Sequence, residues 1–129
     1  MTLDSSALIA ILFSEPGFLD LIDCMLEADA VRVGAPTLVE TGMVLAGRRG
    51  TLDARELDAL VQELALTVVP FGEPEWRAAC TAFDRFGRGR HKAALNFGDC
   101  LAYAAASVAG DALLFVGDDF RQTDIAVAL

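Results

Sequence analysis

Cysteine is scarce in this 129-residue chain, and Cys24, Cys80 and Cys100 are odd in number, widely spaced and without a CxxC pair. That pattern gives no disulfide framework and no zinc site. Reduced thiols packed as small apolar side chains are expected, as in a reducing cytosol. Histidine is scarcer still. His91 stands alone, no neighbour completes a Ser-His-Asp or Cys-His arrangement, and a loop histidine is favoured over a general base. Neither GxGxxG nor GKS/GKT occurs, and Gly87-Arg88-Gly89-Arg90 follows a helical segment rather than a strand, which sets nucleotide-cofactor enzymes aside. Long apolar runs are missing too: residues 101–109 are too short to span a bilayer. The opening MTLDSSALIAILF has no basic stretch before its apolar run, and Asp4 interrupts it. Neither a secretory signal nor membrane insertion is expected, and the expected location is cytoplasmic. Positive charge is short, with 10 Lys+Arg against 19 Asp+Glu and a net charge of -9. That balance argues against nucleic-acid binding. Linkers, low-complexity stretches and internal repeats are also absent.

What is present describes a single globular domain over 1–129, with 54% apolar and 22% charged residues. A chain of this length buries roughly two-thirds of its unfolded surface and needs no metal or disulfide to hold a core. Its apolar content exceeds the usual ~45–50%, which suggests that a partner covers part of the surface.

Periodicity and breakers predict short strands alternating with helices. Strands are expected at residues 2–3, 31–34, 67–71 (as an internal strand) and 112–116. Helices are expected over 5–13 and 17–28, then from Pro36 to a break at Gly47-Arg48-Arg49-Gly50, and from a Thr51 cap through Leu64. Two more run from Glu73 through Phe83 and from Gly98-Asp99 to Ala109, with residues 85–97 as a basic, glycine-containing loop. Such alternation predicts an α/β fold with a parallel sheet covered on both faces. Ligands then bind beyond the carboxyl ends of the strands, where the strand order reverses.

Acids occupy those places. Asp4 follows the first strand, and Asp118 and Asp119 follow the last. Glu40 lies one turn into the helix after the second strand, and Asp99 begins the helix after the basic loop. If the first and last strands are neighbours, these carboxylates converge. Each also has a plain structural explanation: Asp4 or Asp99 as a helix cap, Thr37 with Glu40 as a capping box, and Asp118 and Asp119 as turn formers. Converging carboxylates without basic partners repel one another, and a divalent cation resolves the conflict. An all-oxygen donor set suits Mg²⁺ or Mn²⁺ rather than zinc. Such ions activate water and neutralise phosphodiester charge.

Four stretches, LDSSAL, PTLVET, NFGDCLAYAAA and LLFVGDDFRQTDI, taken in order, resemble PIN-domain ribonucleases of the VapC toxin type along essentially the whole chain. The resemblance implies a PIN-like three-layer α/β/α domain with a central, mainly parallel sheet. It also implies a Mg²⁺- or Mn²⁺-dependent endoribonuclease, a homodimer, and a VapB-type antitoxin whose basic side chain enters the acidic pocket. Carried across, the pattern gives Asp4, Glu40, Asp99 and Asp119 as the catalytic quartet. By analogy Asp4 and Asp99 bind the metal, while Glu40 and Asp119 complete the site or orient the water. Asp118 is an accessory candidate for the fourth position. Ser5 is another accessory, beside Asp4, with capping of its own helix as the alternative.

In this context Arg85, Arg88, Arg90 and Lys92, with Arg48 and Arg49, become candidates for contact with the RNA backbone. Solvated basic loops are the plain alternative. Trp76 and Tyr103, isolated at helical spacing, are expected to pack rather than stack on bases. The apolar faces near Leu8, Ile9, Leu12 and Leu21 serve either as interfaces or as core. A phosphorelay receiver is disfavoured because no lysine follows Lys92. A haloacid-dehalogenase phosphatase is disfavoured because Asp4-Ser5-Ser6 replaces Asp-x-Asp. A catalytically inactive protein-binding module is the main alternative, with a metal-dependent phosphatase behind it.

Overall fold

The computed structural model describes residues 1–51 and 54–129. Its elements in order are β1 (Thr2–Leu3), α1 (Ser5–Leu12), α2 (Phe18–Leu26), β2 (Arg32–Gly34), α3 (Ala35–Arg49), α4 (Ala54–Glu63), β3 (Thr67–Val69), α5 (Glu73–Phe86), α6 (Phe97–Ala109), β4 (Leu113–Leu114) and a 3₁₀ turn at Phe120–Gln122. The four described strands are all parallel, in the order β3-β2-β1-β4. Thr2 pairs with Arg32 on one side and Leu113 on the other, so the first and last strands are neighbours. The chain lays β2 and β3 to one side of β1 and then returns for β4 on the other. The order therefore reverses between β1 and β4, which is where such sheets leave a crevice at their carboxyl ends.

Two apolar cores separate the layers. Leu3, Leu8, Leu21, Met25, Val33, Leu60 and Leu114 form one, joining the sheet to α1, α2 and α4. Phe86, Leu95, Ala102, Tyr103, Leu113, Phe115 and Phe120 form the other, with α5 and α6. Leu113, Leu114 and Phe115 alternate between the two cores, as the period-two geometry of a strand requires. The outer edge of β4 is covered by the tail: the Leu113 amide donates to Ala126 O (2.8 Å), and the Ala128 amide donates to Leu113 O (3.0 Å). These two bonds pair the tail with the β4 edge at Leu113.

Several boundaries differ from expectation. The strand expected to be internal, β3, lies at the sheet edge, with Thr67 and Val68 exposed. β-Branched residues suit a half-covered edge as well as a buried strand. α3 passes through Gly47 and stops at Gly50, whose φ of 83° closes it. An interior glycine costs only about 1 kcal/mol, whereas left-handed glycine is a true helix stop. Arg85 and Phe86 belong to α5 rather than to the following loop. α4 begins at Ala54, so the position where a cap would sit lies outside the described residues. Leu8, Ile9 and Leu21 are core rather than interface, each no more than 6% exposed. Tyr103 is packed as expected, but Trp76 is 53% exposed.

Candidate active site

Asp4, the residue after β1, caps α1. Both the amide and the hydroxyl of Ser6 donate to its Oδ2, at 2.9 and 2.6 Å. The Ser6 oxygen in turn accepts the Val116 amide at 3.0 Å, tying the start of α1 to the end of β4. Sequence reasoning missed Ser6; the signal was the second hydroxyl of the Asp-Ser-Ser run, two residues past an N-cap. Asp4 Oδ1 is different. It is buried and has no hydrogen-bond partner, a condition that costs about 1–3 kcal/mol.

Glu40 projects from the second turn of α3. The alternative Thr37–Glu40 capping box does not form, because α3 starts at Ala35, with Gly34 as its N-cap. Thr37 is instead buried within the helix, its carbonyl accepting the Thr41 hydroxyl at 2.8 Å. Glu40 is thereby free of capping duty, and the nearby Ser5 hydroxyl favours its charged form. Gly98, in α6, lies against the Glu40 carboxylate.

Asp99 sits in the first turn of α6, but Asn96 is the N-cap. The Asp99 amide donates to Asn96 Oδ1 (3.0 Å), and the Asn96 amide donates to Asp99 Oδ2 (2.7 Å), a reciprocal capping box. As in Asp4, one carboxylate oxygen has a structural task and the other is spare. Asp119 lies in the turn after β4 and makes no side-chain cap for the 3₁₀ turn that follows it.

Electrostatics join these four groups. Burial pushes the Asp4 carboxyl up from its ordinary value, and the Asp119 charge adds to the push. Glu40 is raised by burial and then by the charges of Asp4 and Asp99. Asp99 is raised by burial and by Asp4 and Asp119, with Arg88 working in the other direction. The N-termini of α1 and α6 add partial positive charge to the same region. As the side chains stand, no three carboxylate, imidazole or thiol groups close around one point among the described residues, as expected of like charges that repel.

The donor set suits a hard divalent cation. The spare oxygens belong to carboxylates, one of them buried and unpartnered, and no histidine takes part. Cys100 follows Asp99, but burial pushes its thiol up to about 11, which leaves it protonated and packed. His91 is a turn element: its Nδ1 accepts the Ala93 amide at 3.1 Å, and its ring meets Phe86 edge-on.

The basic candidates are mostly occupied. Arg48 pairs with Glu15 (2.6 Å) and Arg49 with Glu56 (2.9 Å), and both guanidinium groups cover the Phe13 ring. Arg85 pairs with Asp124 (2.8 Å) and Arg90 with Asp84 (2.7 Å). Arg88 acts on Asp99. Among the described residues, neither Arg88 nor Lys92 shares an ion pair of this kind. Beside the acids runs an apolar cleft of about 1020 Å³, walled by Val39, Met43, Trp76, Phe83 and Phe97 and reaching Glu40 and Gly98. No described helix is long and apolar enough to cross a membrane.

Comparison with known proteins agrees with this geometry. The PIN-domain family pattern matches residues 1–126. Ribonuclease VapC28 of Mycobacterium tuberculosis is 42% identical over 130 residues, covering 100% of this chain and 98% of its own. Ribonuclease VapC of Mycolicibacterium smegmatis is 41% identical over 127 residues, covering 98% of each chain. Among solved structures, Mycobacterium tuberculosis VapC20, described as a sarcin-ricin loop cleaving toxin, superimposes with a TM-score of 0.73 at 17% identity, covering 97% of this chain and 95% of its own. A chain of a toxin-antitoxin complex from Klebsiella pneumoniae superimposes with a TM-score of 0.70 at 16% identity, covering 98% and 94%. The acids at the β1/β4 crevice and this match along the whole length lead to one conclusion: the chain belongs to the PIN-domain family, among the VapC ribonucleases.

Proposed function

We propose that this chain is the toxin of a VapBC-type pair and cleaves RNA internally by metal-dependent hydrolysis at Asp4, Glu40, Asp99 and Asp119. The observation that carries this reading is the stranded Oδ1 of Asp4, a buried carboxylate oxygen without a donor, in the field of other carboxylates. Asp4 and Asp99 would hold the ion, each through the oxygen that helix capping leaves spare. When bound, Mg²⁺ or Mn²⁺ lowers the pKa of a water and neutralises charge on the scissile phosphodiester. Glu40 and Asp119 complete the set or orient that water, with Ser5 steadying Glu40 and Asp118 as an accessory. Attack by water rather than by the ribose 2′-hydroxyl leaves 5′-phosphate and 3′-hydroxyl ends.

Arg88, whose charge acts on Asp99, would meet an RNA phosphate, and Lys92 can follow it. Arg48, Arg49, Arg85 and Arg90 can join by exchanging exposed ion pairs, each worth at most about 1 kcal/mol. The antitoxin is assigned to the apolar cleft, with a basic side chain entering the acidic pocket; the toxin acts as a homodimer in the cytoplasm.

The test is RNA cleavage by wild type, Asp4→Asn and Asp99→Asn, with Mg²⁺ or Mn²⁺ and with EDTA. Asparagine keeps both capping arrangements and removes only charge. Cleavage should require the ion and fall by more than the ~10–100-fold that supporting residues cost at metal sites. Intact RNA with folded wild type and either metal would favour a catalytically inactive protein-binding module, for which the apolar cleft speaks.

A further inference from the structure

Gly98 is the second residue of α6 and is buried there. Its backbone is helical and outside the left-handed region, so conformational freedom does not explain the glycine. At such a position alanine is the better helix former by about 1 kcal/mol. What excludes a side chain is Glu40, arriving from α3. A Cβ on residue 98 would stand 2.6 Å from Glu40 Cδ and 2.5 Å from Oε2, and closer still to Oε1. Those three are its nearest neighbours, and together they are the carboxylate group. Ser5, at the start of α1, acts on the same carboxylate and favours its charged form.

We infer that Gly98 is a positioning residue of the acidic site: the space of its missing side chain seats the Glu40 carboxylate, and any side chain there turns Glu40 away. This role rests on the metal-dependent reading above. The displaced group is the far end of a flexible side chain, so α6 survives the substitution. Gly98→Ala therefore has effects of opposite sign. The apo protein keeps or gains thermal stability, because helix propensity improves and a carboxylate leaves a crowded acidic cluster. Cation binding weakens, because Glu40 no longer reaches the site. A glycine retained only for packing would lose stability and binding together.

The experiment is a double-mutant cycle of wild type, Gly98→Ala, Glu40→Ala and the double variant. It reads Mn²⁺ affinity by electron paramagnetic resonance and Tm in EDTA. Gly98→Ala and Glu40→Ala should each weaken Mn²⁺ binding by about 10–100-fold. The double variant should bind no more weakly than Glu40→Ala alone, and Gly98→Ala should melt no lower than wild type. Mn²⁺ affinity equal to wild type in Gly98→Ala overturns the inference, as does an additive loss in the double variant. If Gly98→Ala fails to fold, a folded double variant still identifies Glu40 as the occupant of the space, and an unfolded one overturns it. A folded wild type that binds no Mn²⁺ overturns the metal reading and this role with it. Normal wild-type binding with a neutral Gly98→Ala overturns this role alone.

Discussion

Asp4 commits one of its two oxygens to folding and leaves the other without a partner. Oδ2 takes two hydrogen bonds from Ser6, and Oδ1 takes none. Asp99 is arranged similarly, with Oδ2 committed to the Asn96 amide. Cap and proposed metal ligand are compatible roles for both, since capping occupies only one oxygen of each carboxylate. The candidate acids were legible in the sequence because the proposed chemistry needs carboxylates and few other residue types could stand in. Ser6 and Gly98 were not, because their parts are set by Val116 and Glu40, which only the tertiary fold brings near. The raised carboxyls of Asp4, Glu40 and Asp99 carry a stability consequence. A carboxyl whose folded pKa lies above its unfolded value contributes stability below the unfolded pKa, and that stability is lost as pH rises through the folded pKa. At pH 7 without metal, the cluster of raised carboxyls therefore burdens the fold. Asp4→Asn in EDTA should raise Tm by about 2–5 °C, corresponding to about 1 kcal/mol, and the gain should vanish below the carboxylate range. Fluorimetric melting at pH 7 and pH 3.5 checks this; an unchanged or lowered Tm at pH 7 contradicts it.

At the scale of elements, the helix stops marked by glycine were legible, as at Gly50 and Gly110, both left-handed. The end of α4 was legible to within a residue, Leu64 against Glu63, although no glycine marks it. Ala65 takes φ 49° there, with the Leu66 amide donating back to Val61 O at 2.9 Å. That is a left-handed helix terminus occupied by a residue poorly suited to it. Ala65→Gly should stabilise the protein by about 0.5–1 kcal/mol, read as a higher urea midpoint at an unchanged slope. A lower midpoint would show that the strain is offset elsewhere. The third helix was legible to within one residue of its start, Pro36 against Ala35, and that start rules out the Thr37–Glu40 alternative and frees Glu40. A capping box would have turned its carboxylate onto its own backbone, whereas in mid-helix it reaches α6. β3 shows the reverse case: composition identified the strand, but its place at the sheet edge depends on which strands pair.

For the molecule as a whole, the order β3-β2-β1-β4 makes the site, because neighbouring first and last strands bring residues 4 and 119 together. Alternating strands and helices were enough to expect parallel strands, but the β1/β4 pairing could only be posed as a condition. The opposite end of the sheet is held by Asp111. It accepts from Arg32 Nη1 at 3.0 and 2.9 Å and from the Thr2 hydroxyl at 2.8 Å, joining the chain before β4 to β2 and β1. Burial opposes ionisation of Asp111, but the Thr2 and Arg32 hydrogen bonds outweigh it and hold the carboxyl below its ordinary value. A depressed carboxyl contributes stability above its unfolded pKa, lost as pH falls through the folded one. Asp111→Asn should accordingly cost about 1–2 kcal/mol at pH 7, with the gap to wild type closing in acid; urea titrations at pH 7 and pH 3 test this, and an equal gap at both would contradict it. The net charge of -9 that argued against nucleic acid describes the whole chain, whereas the proposed site is local, an acidic pocket with Arg88 at its edge. The most direct test of that reading is the chemistry of the RNA ends left by the purified protein with Mg²⁺ or Mn²⁺, with Asp4→Asn as control. The account predicts 5′-phosphate and 3′-hydroxyl ends that disappear in the variant and in EDTA; 2′,3′-cyclic phosphates, or cleavage that persists without metal, would contradict it.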